Sequence, residues 1–440
     1  MKSTRQIIPF FIFFFALHLN AQKTYKPLDT LPKTYLKKFL SGLEKRHNKD
    51  LNYIKSHFKG KQRRYLKEIY NSQYESLKED FENGELYYNF SNSQYLKKIF
   101  AEILKDNPRY KKLKLYPEWS RSTIPNAYSV GDGTIIINLE LLNSVENEDQ
   151  LAFILAHELS HYILKHREKS YESFIKRITS KAYKQKEKEV FSNRWGRENR
   201  AEKLLKSEVY SRMHISRKDE LEADSLGFIL LANTPYNIKE AIRSLEIMDT
   251  VDKEKDSLSK DFLKKFFNTP HQKFNPEWFQ QEDFSEYTYQ DSDKRWNIDS
   301  LKTHPNCQNR ILALNRIQNN KKLKAKSQNF SIDNKKFNEL KNRAKYEKIN
   351  NLFLKYEYGI GLYETLKLLQ KEPQNKYLLK MTYKFIKKLS DAKKDMRLSS
   401  YVPTINPKNQ TKSQQMFINF LFNLSENEWI NFEKDFRKYK

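Results

Sequence analysis

Two histidines and a glutamate inside an apolar helical segment constrain this chain more than any other feature. His157, Glu158 and His161 lie within residues 151–164, which contain no Gly or Pro to interrupt a helix. Residues four apart project from one helix face, about one turn apart along the axis, so both imidazoles can share a metal ion. Glu158 can then reach the open coordination position and deprotonate a water molecule there. Burying these groups is costly unless they are paired or metal-bound, although the five-residue pattern also arises by chance in helical proteins.

A second acidic segment downstream offers the third ligand that such a site needs. Glu220 and Asp224 are four residues apart, so on a helix they share a face, whereas Glu222 points elsewhere. Glu220 can complete a His-His-Glu site with His157 and His161, and Asp224 can accept the second ring N–H of a ligand histidine. Apolar neighbours favour a buried helix here, and a solvated acidic helix surface is the alternative. We therefore expect one Zn²⁺ per chain.

These motifs resemble those of the zinc metallopeptidase family that contains HtpX and the CAAX prenyl proteases, in which HExxH is followed by ExxxD. The arrangement is most similar to the soluble periplasmic BepA-like branch. Three further segments resemble the strand before the zinc helix, the start of that helix and a late HPxxxxR element, at residues 126–138, 147–152 and 303–311. The resemblance covers residues 95–318.

The resemblance implies a role for each candidate residue. Glu220 and the two motif histidines bind zinc, Glu158 is the general base, and Asp224 supports a ligand from behind. His304 and Arg310 align with residues near the family's active site, so they are further catalytic candidates. Either of them could stabilise the oxyanion, and His304 could instead occupy the open position of the metal and hold the enzyme inactive. A His-Pro pair that only caps a helix is the alternative for His304.

The N-terminus predicts export. Lys2 and Arg5 precede an apolar run at residues 7–17, and a small residue, Ala21, lies before a polar one. This pattern is typical of a secretory signal peptide, here residues 1–21, and an uncleaved membrane anchor is the alternative. No later segment has the uninterrupted apolar length of a membrane helix. We expect a soluble protein of the bacterial periplasm, or one secreted beyond it.

Charge and cysteine content say less about partners. The 82 Lys and Arg residues exceed the 55 Asp and Glu residues, which gives a formal net charge of +27. Such a surface favours anionic partners, including peripheral contact with an anionic membrane, although codon usage alone can also enrich lysine. The basic residues are interleaved with Glu and no nucleic-acid motif accompanies them, so we expect no nucleic-acid partner. Cys307 is the only cysteine, which excludes an intrachain disulfide.

The expected fold is α+β and predominantly α-helical. A zincin-like metallopeptidase core with a small edge-stranded sheet occupies residues 96–318, between helical regions at 22–95 and 319–440. The C-terminal region resembles one tetratricopeptide-like helix pair, with an irregular helical domain as the alternative. We expect the strand at residues 134–138 to be an edge strand that an extended peptide can join. The aromatic residues of the 268–296 loop could line a substrate cleft or pack against the domain: Phe274, Trp278, Phe279, Phe284 and Tyr287.

These features predict a zinc metalloendopeptidase that hydrolyses unfolded or misassembled proteins of the cell envelope. One alternative is a periplasmic chaperone-like assembly factor that uses the peptidase domain as a binding scaffold. A retained Glu158 weighs against that alternative, because a scaffold released from catalysis does not need a general base. A surface or nucleic-acid-binding protein recruited through its charge is the third class, and a steep salt dependence of binding would identify it.

Overall fold

The structure is a computed structural model, and it describes residues 25–28, 33–87, 90–192, 197–250, 256–280, 307–407 and 410–440. The predicted signal peptide, His304, Phe284 and Tyr287 lie outside these ranges. Within these ranges, every helix is too short or too polar to span a lipid bilayer.

Helices dominate the described residues, and they are numbered in chain order. They are α1 (Lys33–His57), α2 (Gly60–Glu82), α3 (Phe90–Lys105), α4 (Leu141–Ser144), α5 (Glu148–Leu164), α6 (His166–Ile178), α7 (Lys181–Phe191), α8 (Arg197–Ala232), α9 (Lys239–Met248), α10 (Lys260–Phe266), α11 (Cys307–Asn320), α12 (Asn334–Leu354), α13 (Tyr358–Lys371), α14 (Lys376–Lys394), α15 (Lys412–Asn423) and α16 (Glu426–Phe436). Together with the small sheet, they confirm the predicted α+β, predominantly α-helical fold.

The sheet has four strands in the order β1-β2-β4-β3: β1 (Leu86–Tyr87), β2 (Tyr116–Ser120), β3 (Ala127–Ser129) and β4 (Thr134–Asn138). β4 pairs in parallel with β2 and antiparallel with β3, and all five of its residues are buried. The expectation that residues 134–138 form the sheet edge is therefore wrong. A continuous run of β-branched residues suits a strand that is covered on both faces, and the edge beside it is β3.

The buried centre of the peptidase region is α5. Asn147 caps its N-terminus by accepting a hydrogen bond from the backbone N–H of Gln150 at 3.0 Å. The helix ends at Lys165, whose φ of 56° and ψ of 40° are left-handed. α8 packs directly on α5, because a Cβ on Gly227 would lie only 3.0 Å from the backbone nitrogen of His157. This close approach brings the Glu220 and Asp224 segment onto the helix that carries both histidines.

The N-terminal helices α1 and α2 form a hairpin that packs against the peptidase region in two apolar clusters. In the first, Phe39 and Phe81 pack with Ile136 of β4. In the second, Ile54 and Leu66 pack with the start of the charged 165–217 segment, through α6. The hairpin therefore covers one face of the sheet, because the first cluster also includes Leu86 of β1 and Tyr116 of β2. The domain boundaries expected from the sequence stay a prediction.

The C-terminal helices enclose a separate apolar cluster, to which Trp278 belongs. The indole Nε1 of Trp278 donates to Glu428 Oε1 at 2.9 Å, and the ring makes edge contacts with Phe420 and Phe432. Because Trp278 is only 1% exposed, it contributes to packing and not to a cleft. Phe274 and Phe279 also pack against this cluster.

Candidate metal centre

Three side chains from α5 and α8 converge at one point. His157 Nε2 lies 3.1 Å from His161 Nε2 and 3.4 Å from one oxygen of Glu220, and His161 Nε2 lies 3.5 Å from the other oxygen. Ligands about 2.0–2.1 Å from a tetrahedral zinc lie about 3.3–3.4 Å from each other. Each of the three separations is close to that ligand-to-ligand distance, although the two histidines face different oxygens of Glu220. The donor set, two imidazole nitrogens and a carboxylate, therefore fits a zinc ion in chemistry and in spacing.

Asp224 lies behind the first histidine and is clamped by an arginine. Its Oδ1 is 2.9 Å from His157 Nδ1. Arg310, from α11, donates to both carboxylate oxygens of Asp224, from Nε at 2.6 Å and from Nη2 at 2.7 Å. Burial raises the pKa of Asp224, but the hydrogen bonds from Arg310 and His157 outweigh burial and lower it. Asp224 is thus held ionised, and its Oδ1 faces the Nδ1 side of the His157 ring. The other ring nitrogen of His157, Nε2, faces the candidate metal position.

Arg310 is itself only 3% exposed, and its Nη2 lies 3.8 Å from Glu220 Oε2. Two of its N–H groups are engaged by Asp224 in a bidentate pair. This arrangement favours a role for Arg310 in positioning Asp224 over the stabilisation of the oxyanion that the sequence suggested. His304, the other residue considered for that role, lies outside the described residues.

The electrostatic environment of the cluster favours a cation. Burial lowers the pKa of His157, but Asp224 and Glu220 outweigh burial and raise it to about 10. Two buried carboxylates therefore act on one imidazole, and their field would stabilise a divalent ion at Nε2 as it does a proton.

Glu158 lies beside the cluster and contacts the edge strand. It is 8% exposed, and its carboxylate accepts a hydrogen bond from the backbone N–H of Ser129 at the end of β3. Burial raises the pKa of Glu158, although the two neighbouring histidines lower it in part. A carboxylate with a raised pKa is a stronger proton acceptor, as a general base requires. The strand edge and the base are therefore coupled by one hydrogen bond.

His166, which the sequence analysis did not single out, also belongs to this centre. Its Nδ1 lies 2.9 Å from His161 Nδ1, and its Nε2 lies 3.4 Å from Glu222 Oε2. Burial and the neighbouring His161 hold the pKa of His166 below its usual range. The sequence signal was a third histidine just after the apolar helix, at the start of the charged 165–217 segment.

The fold and this centre define a metallopeptidase. Residues 91–318, slightly more than half of the chain, match the family model described as Peptidase family M48. The chain therefore belongs to peptidase family M48, as the resemblance to HtpX and the CAAX prenyl proteases predicted. The closer similarity to the BepA-like branch stays a prediction. A comparison with curated proteins finds no match.

Proposed function

We propose that this protein is a zinc-dependent metalloendopeptidase with His157, His161 and Glu220 as the zinc ligands. The observation that carries the proposal is the spacing of the donor groups: the two Nε2 atoms lie 3.1 Å apart, and each lies 3.4–3.5 Å from one oxygen of Glu220. A buried carboxylate that is not part of the set, Glu158, lies beside them. A site that only stored a metal would not need Glu158 next to it. The ligand set supplies three protein donors, which is typical of catalytic zinc.

The edge strand supports a mode of substrate binding. Val130 N donates to Thr134 O at 2.8 Å, and Asn138 N donates to Asn126 O at 2.9 Å. Because backbone groups alternate along a strand, Ala127 and Ser129 direct theirs away from β4. Ser129 donates its N–H to Glu158 and accepts from Arg167 Nη1 at 3.2 Å. An extended peptide that pairs with β3 at Ala127, and displaces these two contacts at Ser129, would run past the general base.

A groove of ≈ 660 Å³ borders this strand edge, and Tyr128 of β3, Arg167 of α6 and residues of α2 line it. One wall therefore comes from a helix that precedes the M48-matched region. We propose that the groove receives the substrate chain on one side of the cleavage point. Main-chain pairing there makes little demand on side-chain identity, which supports unfolded or misassembled polypeptides as substrates.

The proposed chemistry places each residue of the site in a step. Zinc, when bound, supplies a Lewis acid that polarises the scissile carbonyl. Glu158 takes a proton from the attacking water and later delivers it to the leaving amine. Asp224 and Arg310 keep the ring of His157 in the orientation that ligation requires. The predicted signal peptide supports action in the bacterial cell envelope, and the net positive charge is consistent with peripheral contact with anionic membranes.

Metal analysis of the mature protein, together with cleavage of casein with and without a chelator, tests this function. We expect close to one zinc per chain and cleavage that the chelator abolishes. Glu220→Ala should lower zinc occupancy strongly while circular dichroism shows unchanged helical content, because only a ligand is removed. Full occupancy in Glu220→Ala would remove that residue from the site, and chelator-resistant cleavage would contradict a metallopeptidase mechanism.

A further inference from the structure

The environment of His161 differs from that of His157. Behind His157 the acceptor is a carboxylate, Asp224, at 2.9 Å. Behind His161, the Nδ1 atom lies 2.9 Å from the Nδ1 of another imidazole, His166. Two imidazole nitrogens at this distance share one proton, so one ring donates and the other accepts. The direction of that hydrogen bond follows from what the other nitrogen of each ring must do.

His161 must present an unprotonated Nε2 to bind a metal, so its proton resides on Nδ1. His166 Nδ1 then has to accept that proton, which leaves the proton of a neutral His166 on Nε2. His166 Nε2 lies 3.4 Å from Glu222 Oε2 and 3.9 Å from Asp219 Oδ1. Ionised carboxylates can only accept hydrogen bonds, so the donor directions agree at every step from His161 to Glu222.

We propose that His166 is a positioning residue that fixes the ring orientation and tautomer of His161, and that Glu222 fixes His166 in turn. The inference rests on the zinc site proposed above, because it assigns a role toward that metal. It also assigns a role to Glu222, the acidic residue that points away from the ligand face.

The backbone at the end of α5 places His166 for this contact. Lys165 is left-handed, with φ of 56° and ψ of 40°, and this conformation is unfavourable for a residue with a Cβ. It ends α5 one residue before His166, which begins α6 and turns back toward the last turn of the zinc helix. His166 is only 5% exposed, so the ring is held by packing and not by solvent.

The main rival is a second metal site, because His166, Asp219 and Glu222 also have donor atoms near one another. A metal on His166 Nε2 would need a lone pair at that nitrogen, while Nδ1 already accepts from His161. His166 would then carry no ring proton and would be an imidazolate anion. A neutral imidazole avoids that deprotonation. The proton balance therefore favours the chain of hydrogen bonds from His161 through His166 to Glu222, here called the relay, over a second metal.

Zinc affinity of the full mature chain, measured by competition with a chromogenic chelator, tests the relay. His166→Leu removes the acceptor at similar volume and should weaken zinc binding ~10-fold or more, the effect typical of losing a partner behind a ligand. His166→Asn keeps an oxygen near the position of Nδ1 and should restore most of the affinity. His57→Leu, at an exposed histidine that ends α1, is the control and should bind zinc as the wild type does.

Nitrogen-15 NMR of the zinc-loaded wild type reads the tautomer directly and needs no variant to fold. We expect His161 to be protonated at Nδ1 and His166 at Nε2. A His166 ring without the Nε2 proton, or unchanged affinity in folded His166→Leu, would overturn the relay. Two zinc ions per wild-type chain, with one lost in Glu222→Gln, would establish the second metal site instead. A wild-type chain that binds no zinc would refute the proposed function itself.

Discussion

Two glutamates near the same pair of histidines have different environments, and this difference separates their roles. The oxygens of Glu220 lie 3.4 and 3.5 Å from the Nε2 atoms of His157 and His161, as the proposed role of Glu220 as a metal ligand requires. Glu158 instead accepts the N–H of Ser129 on the strand edge, so it is placed to act on a water and a substrate. Substitutions at the two positions should therefore separate metal binding from proton transfer.

Glu158→Gln is predicted to keep the fold and the zinc but to lose most proteolysis. The amide preserves shape and cannot accept the proton, so kcat should fall about 10²–10⁴-fold, the usual contribution of a positioned base. Zinc content by mass spectrometry and initial rates on casein measure the two properties independently. Near-normal turnover in the zinc-loaded variant would exclude Glu158 as the base.

At the scale of elements, the site depends on how closely α8 crosses α5. Gly227 lies at the crossing, where an added Cβ would come within 3.0–3.1 Å of backbone atoms of Ala156 and His157. Backbone in a buried helix cannot easily move to relieve such a contact. α8 also carries Glu220 and Asp224, so a small displacement of this helix shifts the third ligand relative to the histidines. Arg310 of a third element, α11, forms hydrogen bonds with Asp224 of α8.

Gly227→Ala is predicted to lower both the melting temperature and the zinc affinity. Alanine is the better helix former by about 1 kcal/mol, but here the overlap with α5 outweighs that gain. Gly42→Ala in α1 is the matched control, because its Cβ would meet only the tip of the Arg46 side chain, at 3.1 Å. Thermal unfolding with and without zinc compares them. A more stable Gly227→Ala protein with normal zinc binding would show that the crossing can relax.

Arg310→Met is predicted to destabilise the protein by about 3–5 kcal/mol, because it leaves the fully buried Asp224 carboxylate without its cationic partner. Zinc affinity should fall as well, since Asp224 would no longer be held against His157. Arg316→Met, at an exposed arginine of the same helix, should change stability by no more than about 0.5 kcal/mol. Urea denaturation measures both. A stable Arg310→Met protein with normal zinc affinity and slow turnover would instead support a direct catalytic role.

At the scale of the whole molecule, the start of α5 joins distant parts of the chain. The carboxylate of Glu148 accepts hydrogen bonds from the hydroxyls of Tyr95, Tyr236 and Ser331 at 2.8, 3.1 and 2.6 Å. It also accepts from the backbone N–H of Ile332 at 2.7 Å. One buried side chain thus connects α3, the segment after α8 and the segment that leads into α12. The C-terminal region is anchored to the helix that carries the active site.

Glu148→Ala is predicted to lower the free energy of unfolding by at least about 3 kcal/mol, because several buried donors lose their acceptor at once. Glu246→Ala is the control, since Glu246 is exposed and, among the described residues, pairs with the exposed Arg243 alone. Such pairs contribute about 0–1 kcal/mol. Chemical denaturation of both variants tests the anchor. Equal stability of the two would mean that the Glu148 contacts contribute little.

The sequence by itself predicted features that depend on local geometry. The four-residue spacings in α5 and α8 set which side chains share a helix face, because the helical repeat is fixed by the backbone. Those spacings predicted the candidate ligands His157, His161 and Glu220, and the resemblance of the ordered motifs to a known family predicted the M48 family and its α+β fold. None of these inferences required knowledge of how the helices pack.

Long-range packing, in contrast, determines which residues lie beside these elements. The apolar run at residues 134–138 was recognisable as a strand. Its internal position in the sheet depends on pairing with both β2 and β3, and the hydrophobic pattern of one strand does not specify its neighbours. Trp278 packs on the C-terminal helices because long-range burial, not its loop, selects its neighbours. The contact of His166 with His161 depends on the left-handed backbone conformation of Lys165. Lysine is not characteristic of that conformation, so the sequence gives no signal for the turn.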